Sequence, residues 1–191
     1  MFEYHDSTLV QRYKLPKQGT QVEIETLLQW NEKSKMLKLS LPTKLADAEA
    51  VGQTAFGIQP LRGNGEETVM QRWLAVVEQN SDRTFTVVPD TTYGCDYKDG
   101  ELRLSMIRSP LYAAHPRGDR LLGRQDGFSP RLGQGTNTYR FWLNAGDRRT
   151  RLNAIDRQAM QLNEHPMALS FFPTGERLKR KPVIKLSDDV V

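Results

Sequence analysis

The chain has 191 residues, 38% hydrophobic and 26% charged, enough to bury one core, and it holds no apolar run of bilayer-spanning length. Lys and Arg exceed Asp and Glu by 27 to 23, a net charge of +4 with a pI near 9.2. The basic residues are scattered apart from Arg148, Arg149, Arg151 and Lys179, Arg180, Lys181, which argues against a nucleic-acid-binding module. The single Cys95 rules out an intramolecular disulfide, and with no signal-peptide pattern the expected location is cytoplasmic.

Residues 8–41 read as extended. Leu9, Tyr13 and Leu15 form one run, and Val22, Ile24, Thr26, Leu28 and Trp30 alternate with Gln, Glu and Leu, the period of a half-buried strand. After the polar turn at residues 31–35 the alternation resumes through Leu37, Leu39 and Leu41, so residues 20–42 are expected to form a long antiparallel hairpin. Further strands are expected at 50–60, 72–78 and 84–89, separated by Gly63-Asn64-Gly65 and Asn80-Ser81-Asp82. Lys98-Asp99-Gly100 then marks a second hairpin turn, since Asp-Gly suits a tight turn with positive φ.

Residues 113–137 are rich in Gly, Pro and Arg without apolar period, the profile of a functional or disordered segment. A strand follows at 138–143. One helix is expected over 147–162, where Leu152, Ile155, Ala159 and Leu162 share a stripe. It opens on Arg148 and Arg149, unfavourable beside a helix N-terminus and therefore expected in solvent. Two late runs, 167–171 and 183–186, read as strands. One domain spanning 1–191 is expected.

Few residues are arranged for catalysis. Glycoside hydrolysis needs paired carboxylates, and metal assistance adds clustered ligands, but His5, His115 and His165 are far apart and form no local metal motif. Gly133-Gln134-Gly135-Thr136-Asn137 lacks the Lys of a phosphate loop and reads as a turn. Cys95 has no neighbouring activating base and reads as a packed residue. Trp30, Trp73 and Trp142 lie in strand-like runs and are expected in the core, although exposed aromatic rings do stack on sugars.

Gln71-Arg72-Trp73-Leu74, then Tyr93-Gly94-Cys95-Asp96, then Leu102-Arg103-Leu104 leading to Ile107-Arg108-Ser109-Pro110 resemble, in that order and spacing, the C-terminal region of glycoside hydrolase family 38. Leu9-Val10-Gln11-Arg12-Tyr13, Gln134-Gly135 before Tyr139-Arg140-Phe141, and Leu162-Asn163 extend the resemblance. It implies a mainly β fold, a large antiparallel β-sandwich (a supersandwich of the galactose-mutarotase-like kind), carried as part of a longer multidomain α-mannosidase.

In that family a divalent metal, usually zinc, and the carboxylate nucleophile of a retaining mechanism sit in an N-terminal catalytic domain, so this chain alone is expected to be inactive and to hold no cofactor. The expected partners are the catalytic and helical domains of the same enzyme and a mannose-containing carbohydrate, with neither nucleic acid nor membrane. By motif, the resemblance implies substrate-rim roles for Arg108, Tyr93 and Asp96, with a structural ion pair as the competing role for Arg108. Where the family often carries Asp-x-Gly-x-His, this chain has Gly133 to Asn137, so no role of that Asp or His carries over. An apolar docking patch is expected where the partner domains would pack. A free-standing carbohydrate-binding sandwich is the alternative function.

Overall fold

The computed structural model describes residues 1–111 and 129–170, and among them the alternating runs form twelve strands and one helix. In chain order these are β1 (Phe2–Tyr4), β2 (Ser7–Lys14), β3 (Val22–Trp30), β4 (Met36–Pro42), β5 (Ala48–Thr54), β6 (Gly57–Pro60), β7 (Thr68–Val69), β8 (Leu74–Glu78), β9 (Arg83–Pro89), β10 (Gly94–Lys98), β11 (Glu101–Arg108), β12 (Gly135–Asp147) and α1 (Arg148–Asn163). They build two antiparallel sheets, one ordered β1-β2-β3-β12-β9-β8-β5-β6 and the other β4-β11-β10-β7. This is the mainly β, sandwich-like architecture with one late helix that the sequence led us to expect.

Burial follows the pleat. Along β3, Ile24, Thr26, Leu28 and Trp30 are buried while the residues between them keep contact with solvent. Leu102, Leu104 and Met106 form the matching inward row of β11. The two rows meet Leu74, Val76, Val87 and Tyr97 in one core between the sheets. Tyr139 and Phe141, two residues apart on β12, stack within it with centroids 6.4 Å apart.

β8 is buried along its whole length because both faces of the large sheet are covered there. Leu74 and Val76 face the other sheet, while Ala75 and Val77, with Trp73, Val88 and Trp142, pack beneath Ile155 and Ala159 of α1. Leu152 and Leu162 complete the expected helical stripe. The molecule is therefore layered as small sheet, large sheet and helix, and all three tryptophans are buried. Asp147 caps α1, accepting from the Thr150 N–H at 2.7 Å, and Arg148 N–H donates to the Asp82 carbonyl at 2.7 Å. A hydrogen bond from Asp82, reinforced by Thr150, holds the Asp147 carboxyl down to about 2 and raises that of Asp82. That negative charge faces the cationic pair that opens the helix.

Four expectations need correction. The run at 50–60 is two strands, β5 and β6, paired antiparallel about a turn at 55–56. Residues 20–42 do not form a hairpin: β3 pairs with β2 and β12 in the large sheet, and β4 pairs with β11 in the small one. The link at 31–35 is an arch between sheets, held by Ser34 N–H to the Ser109 carbonyl (2.8 Å) and Ser109 N–H to the Lys35 carbonyl (2.9 Å). Period two was read correctly on both strands, but it specifies a face and not a neighbour. Residues 167–170 form no strand, and Met167 and Leu169 are exposed; Phe171 and the run 183–186 lie outside the described residues. The last long strand starts at Gly135, so 135–137 belong to β12 and not to the preceding Gly- and Pro-rich segment. The Asp99-Gly100 hairpin forms as expected, joining β10 and β11 with φ of 51° and 79°.

Candidate functional site on the four-stranded sheet

On β4, β10 and β11 the apolar residues point into the core, so the alternate residues share the outer face. Register sets Asp96 opposite Arg103, Arg103 opposite Ser40, and Ser105 opposite Lys38. The Asp96 carboxylate has no exposed surface; Arg103 Nε and Nη2 donate to its Oδ1 at 2.6 and 2.5 Å, and Lys38 Nζ donates to its Oδ2 at 2.5 Å. Lys38 Nζ also lies 2.5 Å from Glu67 Oε2, and the Ser105 hydroxyl donates to Glu67.

The result is an alternating chain, Glu67, Lys38, Asp96, Arg103, with two charges of each sign. The bond to Asp96 raises the Arg103 guanidinium above its ordinary range. Burial opposes the charge on Lys38, but its hydrogen bonds to Asp96 and Glu67 outweigh that and raise it overall. On the opposite face of β10, burial, with Glu67 and Asp96 nearby, pushes the Cys95 thiol up to about 12. Cys95 is a packed, unreactive residue, as its sequence context implied.

Backbone geometry explains part of the Tyr-Gly-Cys-Asp motif. A Cβ on Gly94 would lie 2.6 Å from Glu67 Oε1 and 3.2 Å from Ser105 Cβ, so only glycine leaves room for Glu67 over the sheet. The segment ahead of Glu67 is tied down by Gly65 N–H to the Tyr97 carbonyl (3.1 Å) and by a bridge between Asn64 and Lys98.

The three rim candidates separate. Asp96 is sealed inside the charged chain. Tyr93 and Arg108 are exposed, one residue before β10 and at the last position of β11, and antiparallel pairing brings them to the same end of the sheet. Among the described residues Arg108 makes no ion pair. Beside it runs the turn that leads into β12, whose Gly133 approaches the Arg108 carbonyl so closely that a Cβ would stand 3.1 Å away. Gln134 Nε2 anchors that turn on the Asn31 carbonyl at 3.0 Å, and Asn137 Nδ2 closes it on the carbonyls of Gly133 and Gly135.

The sequence reading missed Lys38, Glu67, Arg103 and Ser105. Alternation marks Lys38 and Arg103 as outward-facing, but Glu67 lies in a loop and nothing local announces its reach. Among the described residues no three of His, Cys, Asp and Glu converge as metal ligands, and the oxygens of Asp96 and Glu67 are already taken by Lys38, Arg103 and the Ser105 hydroxyl, so this cluster does not suit a metal. His5 packs edge-on against the Tyr4 ring at 4.3 Å, and His115 lies outside the described residues.

Comparison with known proteins gives the same family as the motifs. An alpha-mannosidase from Enterococcus faecalis V583 superposes with a TM-score of 0.62 at 16% identity, over 79% of this chain and 17% of that one. A protein of the glycosyl hydrolase family 38 from Enterococcus faecalis matches equally, with a TM-score of 0.62 at 15% identity and the same coverage. The chain thus spans about a sixth of the length of these structures, and at such identity they establish a shared fold. No curated protein matches by sequence. The description "Glycosyl hydrolases family 38 C-terminal domain" matches residues 1–117, and the chain belongs to that family.

Proposed function

We propose that the chain is a non-catalytic β-sandwich domain of a metal-dependent α-mannosidase, which supports the catalytic domain and lends Arg108 and Tyr93 to the rim of its sugar pocket. Membership of the family carries the first half of this reading. The second half rests on Tyr93 and Arg108 standing exposed at one end of two paired strands, with the turn that leads into β12 beside Arg108. Strand ends fix a side chain better than a mobile loop would, an aromatic ring suits a sugar face, and a guanidinium fork suits hydroxyl pairs or a carboxylate. Asp96 serves at one remove, as the buried anion that holds Lys38 and Arg103 in place.

Exposed apolar side chains lie at both edges of the large sheet, Phe2 and Tyr4 on β1, Ile58 on β6 and Phe56 at the turn before it. Two such edges suit contact with other domains of the same enzyme. The test is kinetic. The full-length gene product should hydrolyse an aryl α-mannoside, and Arg108→Ala should lower kcat/KM by about ten-fold or more, with Arg108→Lys intermediate and the melting temperature unchanged. Absence of hydrolysis would refute the α-mannosidase reading, and unchanged kinetics in both Arg108→Ala and Tyr93→Ala would refute the rim role.

A further inference from the structure

A second cleft lies on the other side of the molecule, on the outer face of the large sheet where the cover of α1 ends. It holds about 590 Å³ between the β2–β3 loop, β12 and α1, a size that accommodates a small organic ligand. Its chemistry is one-sided. Arg151 reaches in from α1, and its Nη2 donates to Thr86 Oγ1 at 3.1 Å and to Gln158 Oε1 at 2.9 Å. Among the described residues its Nε and Nη1 have no hydrogen-bond partner, and no carboxylate forms an ion pair with it.

Asn144, 8% exposed, accepts from the Thr20 hydroxyl at 2.9 Å through Oδ1, and among the described residues its Nδ2 has no hydrogen-bond partner. Gln158, its oxygen taken by Arg151, likewise has its Nε2 free of partners among the described residues. The other charges lining the cleft cancel, because Lys14 Nζ sits 3.0 Å from Glu23 Oε1. Arg151, Asn144 and Gln158, each with an N–H group unpartnered among the described residues, thus line one polar cleft with one uncompensated positive charge. Burial also lowers the pKa of the Arg151 guanidinium, a cost that a bound anion would remove.

A donor-only set with net positive charge selects ligands that are acceptor-only, and the common ones are phosphate and carboxylate. We propose that this cleft binds a small organic molecule through a terminal phosphate or carboxylate, held by Arg151, Asn144 and Gln158. The remaining lining amides, Gln18 and Gln21 of the β2–β3 loop, supply donors and acceptors for hydroxyl groups. The site is separate from Tyr93 and Arg108, so it stands or falls independently of the rim role.

The experiment is isothermal titration of the full-length gene product at low ionic strength with four probes: a hexose 6-phosphate, a hexuronate, inorganic phosphate and the uncharged hexose. Saturable binding of the phosphate ester or the uronate is expected, and which of the two binds identifies the oxyanion. The uncharged hexose should not bind at this site, and inorganic phosphate should bind more weakly than the ester. Arg151→Gln should weaken binding about ten-fold or more, with Arg151→Lys intermediate. Gln158→Glu supplies the guanidinium with an internal carboxylate, so it should abolish binding while raising the melting temperature. Failure of every oxyanion probe to saturate, or binding retained in both Arg151→Gln and Gln158→Glu, overturns the proposal.

Discussion

Asp96 and Arg103 face each other across the β10–β11 hairpin, the guanidinium 2.5 Å from a carboxylate that has no exposed surface. Lys38 closes the other side of the same carboxylate from β4, so one buried anion joins three of the four strands of the small sheet. Removing it leaves Lys38 and Arg103 half-buried beside each other, with Glu67 still paired to Lys38 alone. Asp96→Ala should therefore destabilise the protein by about 3 kcal/mol, the low end for breaking a buried pair, because Lys38 and Arg103 keep some access to water. Chemical denaturation measures this, and a loss below about 0.5 kcal/mol would show the cluster to be energetically idle.

Gly94 and Glu67 compete for one space. Gly94→Ala should cost about 1–3 kcal/mol by pushing Glu67 off Lys38 and Ser105. Because the clash is with that one side chain, Gly94→Ala combined with Glu67→Ala should cost less than the sum of the two single changes. Additive losses in the double-mutant cycle would mean that strain elsewhere, and not Glu67, excludes the methyl group.

Glu78 titrates low. Arg83 grips it with Nε and Nη2, both at 2.7 Å, and with help from Ser81 and the Ala46 N–H its carboxyl falls from the ordinary 4.5 to about 2. A folded pKa below the unfolded one adds stability that is complete above pH 4.5 and is lost as pH falls toward 2. Melting temperatures should therefore be higher for the wild type than for Glu78→Gln at neutral pH, and the two curves should converge near pH 2. A constant gap across that range would assign the effect to shape and not to charge.

Trp73 is fully buried under α1 and donates its indole N–H to Asp156 Oδ1 at 2.6 Å. Asp156→Ala leaves that donor without its partner and should cost about 1–3 kcal/mol. Trp73→Phe removes the donor and should make a later Asp156→Ala change nearly neutral. Thermal denaturation of the two single variants and the double variant decides whether this bond ties the helix to the sheet.

Much of the fold was legible in the chain. The apolar alternation of β3, β4 and β11, the Asp99-Gly100 turn and the stripe through Ile155 and Ala159 are local patterns, because a pleat or a helical turn writes its own period into neighbouring residues. The apolar run at 74–77 of β8 was readable as a strand, but not the reason for it, which is a helix arriving from about 70 residues further along the chain. The family was legible in the motifs, because recurring residues such as Tyr93-Gly94-Cys95-Asp96 can be matched by order and spacing without knowing what they pack against.

What sits beside what was decided by the tertiary structure alone. Strand period names a face and leaves the partner open, so β3 and β4 looked like one hairpin until the arch at 31–35 sent them to different sheets. Asp96 read as a substrate-rim candidate for the same reason: its cations, Lys38 and Arg103, come from β4 and β11, and in sequence Lys38 and Asp96 are 58 residues apart. Arg151, which has no carboxylate partner among the described residues, is equally silent in the chain, because that depends on every segment that packs around it. Sequence by itself determined period, turns and family; pairing, burial and charge compensation were set by long-range contacts, whose partners carry no local mark of one another.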